Sequence, residues 1–278
     1  MAGTERRILR PTSGWVAIDI PELLRFRELA LQLASRDVKL RYKQTMLGIA
    51  WVVLQPLLAA GVLNFAFGVV AGLKPQNGTS FFLFSFTGLL AWNVFSGTLS
   101  KASLSMVGNA YLVSKVYFPR LILPFSSTIS TLLDFCVSLG ILAVLLVIYG
   151  VRPGWPILLL PVWVALILCF ALGAGLITAA LTVDYRDVQH VLPILIPFML
   201  YASPVAYDVS QVPARFQQTF YLLNPLAGLI VGFRWSVLGT SSPPPIEYVI
   251  WSAALAVSFF LFGAAVFRRT ERKFADVI

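Results

Sequence analysis

Charge is scarce in this 278-residue sequence. Asp, Glu, Lys and Arg make up 12% of it, about half of the roughly 25% carried by an ordinary soluble domain. Together with 58% hydrophobic residues and a mean hydropathy of +0.83, this excludes a water-soluble globule and a disordered chain. Cysteine is nearly absent. Cys136 and Cys169 are the only two, and both sit inside apolar runs, so neither a disulfide framework nor a thiolate metal cluster is implied. They read as small buried hydrophobes. The single histidine, His190, has no cysteine or second histidine near it and reads as a loop residue. The nucleotide-cradling pattern G-x-x-x-x-G-K-[ST] is missing, so the chain has no loop of its own for ATP phosphates. No G-x-S-x-G elbow or S-x-x-K pattern occurs either, which leaves no catalytic motif.

What is present is apolar length. A transmembrane helix needs about 20 mostly apolar residues, and six stretches qualify approximately: 47–70, 81–99, 129–148, 157–183, 191–206 and 248–267. None alternates with period two, so membrane strands are excluded. The fifth is short and carries Pro193, Pro197 and Pro204, which predicts a kinked or broken helix whose freed backbone groups must face protein or water. The first 45 residues are polar, so the expectation is that the first membrane helix serves as its own uncleaved insertion signal.

Lys and Arg outnumber Asp and Glu by 21 to 12, and their placement sets an orientation. With six crossings, all but four of the 21 fall on the side shared by the two ends. The exceptions are Lys74, Arg152, Arg215 and Arg234. Both termini are therefore expected in the cytoplasm, and the basic balance reads as topology, with a surface for acidic lipid headgroups. No aromatic-basic motif for nucleic acid is present. Residues 208–245 form a long outer segment whose apolar part, 226–238, rises only about 20 Å as a helix. A pair of short helices dipping into the outer leaflet fits it better than a crossing.

Residues 22–43 are charged yet periodic. Leu23, Phe26, Ala30 and Leu33 recur on one helical face with Leu29 beside them, while Arg25, Glu28, Gln32 and Arg36 lie elsewhere. This predicts an amphipathic interface helix before the first span, with Asp37 and Arg41 as an i,i+4 pair. Asp134 falls near the middle of the third span, where a carboxylate must face the bundle interior or water. Ser127, Thr131 and Ser138 are candidate partners, and both a structural role and a place on a substrate path stand open. Aromatic residues, Trp92, Phe95 and Tyr201 among them, suit either the headgroup belt or a lining on which sugar rings slide.

Several segments in order resemble one family, the membrane subunits of type-2 ABC exporters for polysaccharides. They are Arg36-Asp37-Val38-Lys39-Leu40-Arg41-Tyr42-Lys43 running into Leu47-Gly48 and Trp51, then Lys115-Val116-Tyr117-Phe118-Pro119-Arg120 with Leu123-Pro124, then Asp184-Tyr185-Arg186-Asp187-Val188. Ser203-Pro204-Val205, Leu223-Asn224-Pro225-Leu226 with Arg234, and the tail from Glu271 to Ile278 complete the match.

The resemblance implies an all-α integral membrane protein: a cytoplasmic segment over 1–45 and a six-helix transmembrane domain over 46–278. It implies a homodimer around a central conduit, docked on two copies of a cytosolic P-loop ATPase that holds the ATP and Mg, with no cofactor on this chain. A coupling region at about 100–120 would present Tyr111, Lys115, Tyr117, Phe118, Pro119 and Arg120 to that ATPase, joined by Arg186 and Asp187. A gate at about 208–245 would place Asn224-Pro225 at a turn, with Arg234 beyond it. The implied cargo is polysaccharide on an undecaprenyl diphosphate carrier, its diphosphate met by Arg36, Lys39, Arg41 and Lys43 at the rim of the bacterial inner membrane. Trp92, Phe95, Asp134 and Tyr201 complete the expected substrate contacts. A drug or small-lipid exporter of the same plan is the alternative. An intramembrane glycan-modifying enzyme built on Asp134 is a third reading.

Overall fold

The computed structural model describes residues 20–43, 50–75, 78–239 and 243–271. The basic residues before position 20, Leu47-Gly48, the tail from Arg272 and the side chain of Arg41 lie outside the described residues. The described chain is all helix, turn and loop. A short helix α1 (Ile20–Arg25) and an α2 (Arg27–Tyr42) precede α3 (Ala50–Leu63), which continues as a wider-wound turn to Val70. Next come α4 (Phe81–Gly108), a one-turn α5 (Ala110–Lys115) and α6 (Ile122–Ile148). A 3₁₀ turn (Trp155–Leu159) leads into α7 (Leu160–Asp184), followed by α8 (Val188–Ala202). The chain ends with α9 (Ala214–Leu223), α10 (Pro225–Leu238) and α11 (Ile246–Thr270).

Among the described residues five helices are long and apolar enough to cross a membrane: Ala50–Val70, Phe81–Gly108, Ile122–Ile148, Trp155–Asp184 and Ile246–Thr270. The fifth expected span differs. Helix α8 has 15 residues, a rise of about 22 Å, and stops at Ala202 because Pro204 holds Ser203 in extended backbone (φ −103°, ψ 151°). Helices α9 and α10 meet at a bend of 102°.

α4 is the central helix, packing on α7, α6, α3 and α10. Its 28 residues would reach about 42 Å, well past the apolar run that ends at Leu99. The third span also starts earlier than its hydropathy suggests, at Ile122 rather than 129. Ser126, Ser127 and Thr128 donate to the carbonyls of Leu123 or Pro124 at 2.7–3.1 Å, so their hydroxyls are satisfied by the helix itself.

In lipid, helices associate by close packing rather than by expelling water, and small residues let backbones meet. α7 and α11 do this at Gly173 and Gly263. A Cβ at Gly173 would sit 2.4 Å from the Phe259 carbonyl carbon, and one at Gly263 would sit 2.2 Å from the Gly173 oxygen. Gly173→Ala is expected to push the two backbones apart and destabilise the bundle by about 1–3 kcal/mol, the range for overpacking. Thermal unfolding in detergent checks this, and an unchanged midpoint would show that the contact relaxes freely.

The apolar face of the N-terminal helices is covered by protein. Leu33 is buried, and Leu23, Phe26, Leu29 and Ala30 pack around a cluster that includes Phe118, Ile122, Leu123, Leu176 and Phe267. α2 thereby lies on α6, at the end of the bundle where α4, α7 and α11 finish.

Candidate functional site

Asp134 projects from the middle of α6, and the partner it finds is cationic. Lys101 Nζ donates to Asp134 Oδ2 at 3.2 Å and to Ser130 Oγ at 3.2 Å. By hydropathy Lys101 falls just past the second apolar stretch, 81–99, in a cytoplasmic loop. The structure corrects this: α4 runs seven residues beyond Lys101, and the ammonium faces α6 with 26% of its side chain exposed, against 29% for Asp134. The pair opens into a cavity of about 570 Å³ between α3, α4 and α6. Its polar lining comprises Gln55, Asn93, Ser96, Lys101, Thr131, Asp134 and Ser138, with Trp51 and Phe135 supplying rings. Within a lipid-spanning bundle such a lining has to meet water, a polar ligand or another chain.

Trp92 and Phe95 are elsewhere. They are 4% and 1% exposed; Trp92 meets Phe95 at 5.4 Å, and Phe95 stacks on Phe170 at 5.6 Å. Within the described chain neither ring offers a face to a passing sugar. Tyr201 is exposed near the end of α8, where its carbonyl accepts from the Tyr207 hydroxyl at 3.3 Å.

Among the described side chains, the rim cations Arg36, Lys39 and Lys43 do not line this cavity. Arg36 donates to Asn109 Oδ1 at 2.7 Å and to Asp37 Oδ1 at 3.0 Å, which ties α2 to the break between α4 and α5. Asp37 thus accepts from its neighbour, and the Asp37–Arg41 pair suggested by the spacing falls on a side chain outside the described residues. Lys39 and Lys43 are exposed.

At the same end, Tyr111 and Tyr117 are exposed and Lys115 Nζ lies 5.4 Å from the Tyr111 ring centre, while Phe118 is buried. Arg120 is clasped to the end of α11. Its backbone N–H donates to Glu271 Oε1 at 3.2 Å, and its guanidinium donates to the Glu271 carbonyl. Pro119 precedes it with its carbonyl accepting from Ile122 N–H at 3.0 Å, which starts α6. Arg186 and Asp187 are exposed in the turn between α7 and α8. The Asp187 carbonyl accepts from the N–H groups of His190 and Val191.

At the other end, Asn224 joins three elements. Its Oδ1 accepts from Leu226 N–H at 3.1 Å, capping α10, with Pro225 in the first helical position. Its Nδ2 donates to the Ala202 carbonyl at 2.9 Å and to Ser203 Oγ at 3.1 Å, where α8 ends. Arg234, counted from the sequence among the outer-side charges and at the gate, is 2% exposed. Its Nη2 donates to the carbonyls of Pro204 and Val205, both at 2.9 Å, and the guanidinium lies 3.7 Å from the Phe84 ring centre. The reason is local. Pro204 ends α8, so the carbonyls of Pro204 and Val205 lie in non-helical backbone, and the N–H groups on Arg234 Nη2 supply their donors.

Sequence reasoning missed Gln55, Asn93 and Lys101. The first two were legible as carboxamides inside apolar runs, a pattern that marks buried polar function in membrane helices. Lys101 carried no such signal, since it lies just past the end of one run.

A family model described as ABC-2 type transporter matches residues 28–238. The chain is 32% identical over 260 residues to the O-antigen export system permease protein RfbA of Myxococcus xanthus, covering 93% of this chain and 98% of that one. It is 28% identical over 255 residues to the protein of the same name from Klebsiella pneumoniae, covering 90% and 95%. It is 23% identical over 248 residues to the polysialic acid transport protein KpsM of Escherichia coli, covering 86% and 92%.

Proposed function

The chain belongs to the ABC-2 type transporter family, and from that premise we propose that it is the membrane-spanning permease of an ABC exporter for polysaccharide. One observation carries the cargo: similarity runs nearly end to end with proteins named for O-antigen export and polysialic acid transport. It favours a glycan over a drug or small lipid.

In this reading the chain is a non-catalytic subunit of a bacterial inner membrane, with both termini in the cytoplasm. The five long helices and the short, proline-interrupted α8 make six crossings, and α9 with α10 forms a pair dipping into the outer leaflet. Two copies would enclose the conduit at a twofold seam, since one small bundle leaves little room for a hydrated glycan. Exposed apolar side chains on α8, including Val191, Ile194 and Phe198, are available to lipid or to the second copy. The energy would come from two copies of a cytosolic P-loop ATPase carrying ATP and Mg. That subunit would seat against α5 and the Tyr185–Asp187 turn, where Tyr111, Tyr117, Tyr185 and Arg186 are exposed. The Arg36–Asn109 and Arg120–Glu271 contacts would join this docking surface to α2, α6 and α11. The cargo is a polymer on a lipid diphosphate, with Lys39 and Lys43 free at the rim to meet its charge.

Deletion of the gene should remove the surface glycan and leave lipid-linked polymer inside the cell, and complementation should restore it. The purified chain should hydrolyse no ATP alone and should co-purify with a P-loop protein. Strong hydrolysis by the isolated chain would end this division of labour. Arg186→Glu, at an exposed position, is expected to cut surface glycan about tenfold, corresponding to roughly 1.4 kcal/mol of lost docking. Its amount in the membrane should stay unchanged. Normal display by that variant would move the ATPase contact elsewhere.

A further inference from the structure

Two side chains of the cavity have work that nothing in the protomer assigns. Gln55 on α3 and Asn93 on α4 are both exposed to it. Among the described residues neither carboxamide makes a hydrogen bond, although each lies within a helix long enough to span lipid. A carboxamide carries two N–H donors and an acceptor oxygen, and hydrocarbon satisfies none of them. Something polar must come to them. Among the described residues, the ionisable groups lining the cavity are Lys101 and Asp134, which face each other at 3.2 Å, so this described wall is polar yet electrically balanced. A diphosphate or a polyanion is recognised by cations with charge to spare, which this wall does not offer. Trp51 and Phe135 add aromatic surface, which an apolar C–H face can cover. The volume of about 570 Å³ falls in the range of roughly 300–1,000 Å³ typical of small-ligand pockets.

We propose that this cavity is a saccharide subsite inside each protomer, which holds an uncharged, hydroxyl-rich segment of the exported glycan against Gln55, Asn93 and the Lys101–Asp134 pair. The proposal rests on the polysaccharide reading and adds to it a place and a charge class. Hydroxyls both donate and accept, so one sugar unit can serve the two carboxamides and the balanced pair together. Recognition of that kind tolerates many sugars and rejects chains that bring net charge into the bundle.

The test uses the full-length chain in lipid nanodiscs, with Cys136→Ala and Cys169→Ala making Ser96→Cys the sole thiol. Val52→Cys, on the same lining, is the second reporter should the first fold poorly. Labelling by a membrane-impermeant maleimide is followed with and without maltoheptaose, and with an oligogalacturonate of equal length. Maltoheptaose should slow labelling about fivefold, as roughly 80% occupancy requires, and the charged oligomer should slow it less than about twofold on the same occupancy scale. Equal rates with and without maltoheptaose would mean that water alone fills the cavity. No labelling under any condition would mean that another chain seals it, and equal protection by the charged oligomer would remove the charge selectivity. Each of these outcomes overturns the proposal. In cells, the double change Gln55→Leu with Asn93→Leu should lower surface glycan about tenfold, equivalent to about 1.4 kcal/mol. Membrane amount and gel-filtration profile serve as the folding control. Full display by that variant would also overturn the proposal. Failure of the unmodified chain to support glycan display would instead sink the polysaccharide reading, which the labelling assay does not depend on.

Discussion

Asp134→Leu is expected to destabilise the bundle by about 2 kcal/mol, and adding Lys101→Met to recover most of that loss. The single change leaves the Lys101 ammonium facing leucine between α4 and α6, with Ser130 as a neutral partner. An uncompensated lysine at the centre of a membrane helix costs about 2.5–3.5 kcal/mol on insertion scales. Breaking a fully buried pair costs about 3–5 kcal/mol. Both side chains here are about a quarter exposed, so partial screening lowers the expectation toward the bottom of those ranges. Two kilocalories amount to roughly a thirtyfold change in the folded-to-unfolded ratio, a clear shift in a detergent unfolding curve. The double change replaces the pair by apolar side chains of similar volume, which buried sites often accept at little cost. A double variant no more stable than Asp134→Leu would show that the pair does not act as a unit. If the double variant is stable but displays less glycan, the pair matters to the cavity wall and not only to packing.

Arg234→Ala is expected to cost more, about 4 kcal/mol. The side chain is 2% exposed, and its removal leaves the Pro204 and Val205 carbonyls without their donor. A buried acceptor stranded in this way loses about 1–3 kcal/mol. The emptied volume and the lost face of Phe84 add to that. Arg234→Lys should recover little, because one ammonium cannot reproduce a planar fork over an aromatic ring. The neighbouring α4 is built around this group. A Cβ at Gly88 would lie 2.4 Å from Arg234 Nη2 and 2.8 Å from the Val205 carbonyl oxygen. Gly88→Ala should therefore destabilise the native chain, and should do so less when Arg234 is already Ala. The residual cost reflects the Val205 contact. Strictly additive effects of the two changes would rule out this coupling.

The elements and the site differ in how much of each could be read from residues alone. Hydropathy located every long helix, because a run of apolar side chains is a local property. It misplaced their ends where polar residues were satisfied by the helix itself. Ser126, Ser127 and Thr128 bond back to the preceding turn and let α6 begin at Ile122, while Lys101 stays helical next to Asp134. Pro204 was legible as a breaker, and the residue before it is extended accordingly. The partner of the carbonyls beyond that break was not legible, since Arg234 lies thirty residues further on. Asp134 stood out as a carboxylate in an apolar run. Its cation lies 33 residues earlier in sequence and reads, residue by residue, as an ordinary loop charge. Trp92 and Phe95 were read as possible sugar contacts by residue type, but their position on the most buried helix decides otherwise.

By itself the sequence determined the solvent of this protein: so little charge and so many apolar runs leave lipid as the medium and helices as the elements that satisfy their own backbone within it. Its ordered motifs also carried the family. The tertiary structure alone decided which polar groups meet: Lys101 with Asp134, Arg234 with the carbonyls after α8, and Gln55 and Asn93 across one cavity. The physical reason is one of range. Helix formation and burial in lipid depend on neighbours within a few turns, whereas the partner of a buried charge is fixed by packing between helices that are distant along the chain.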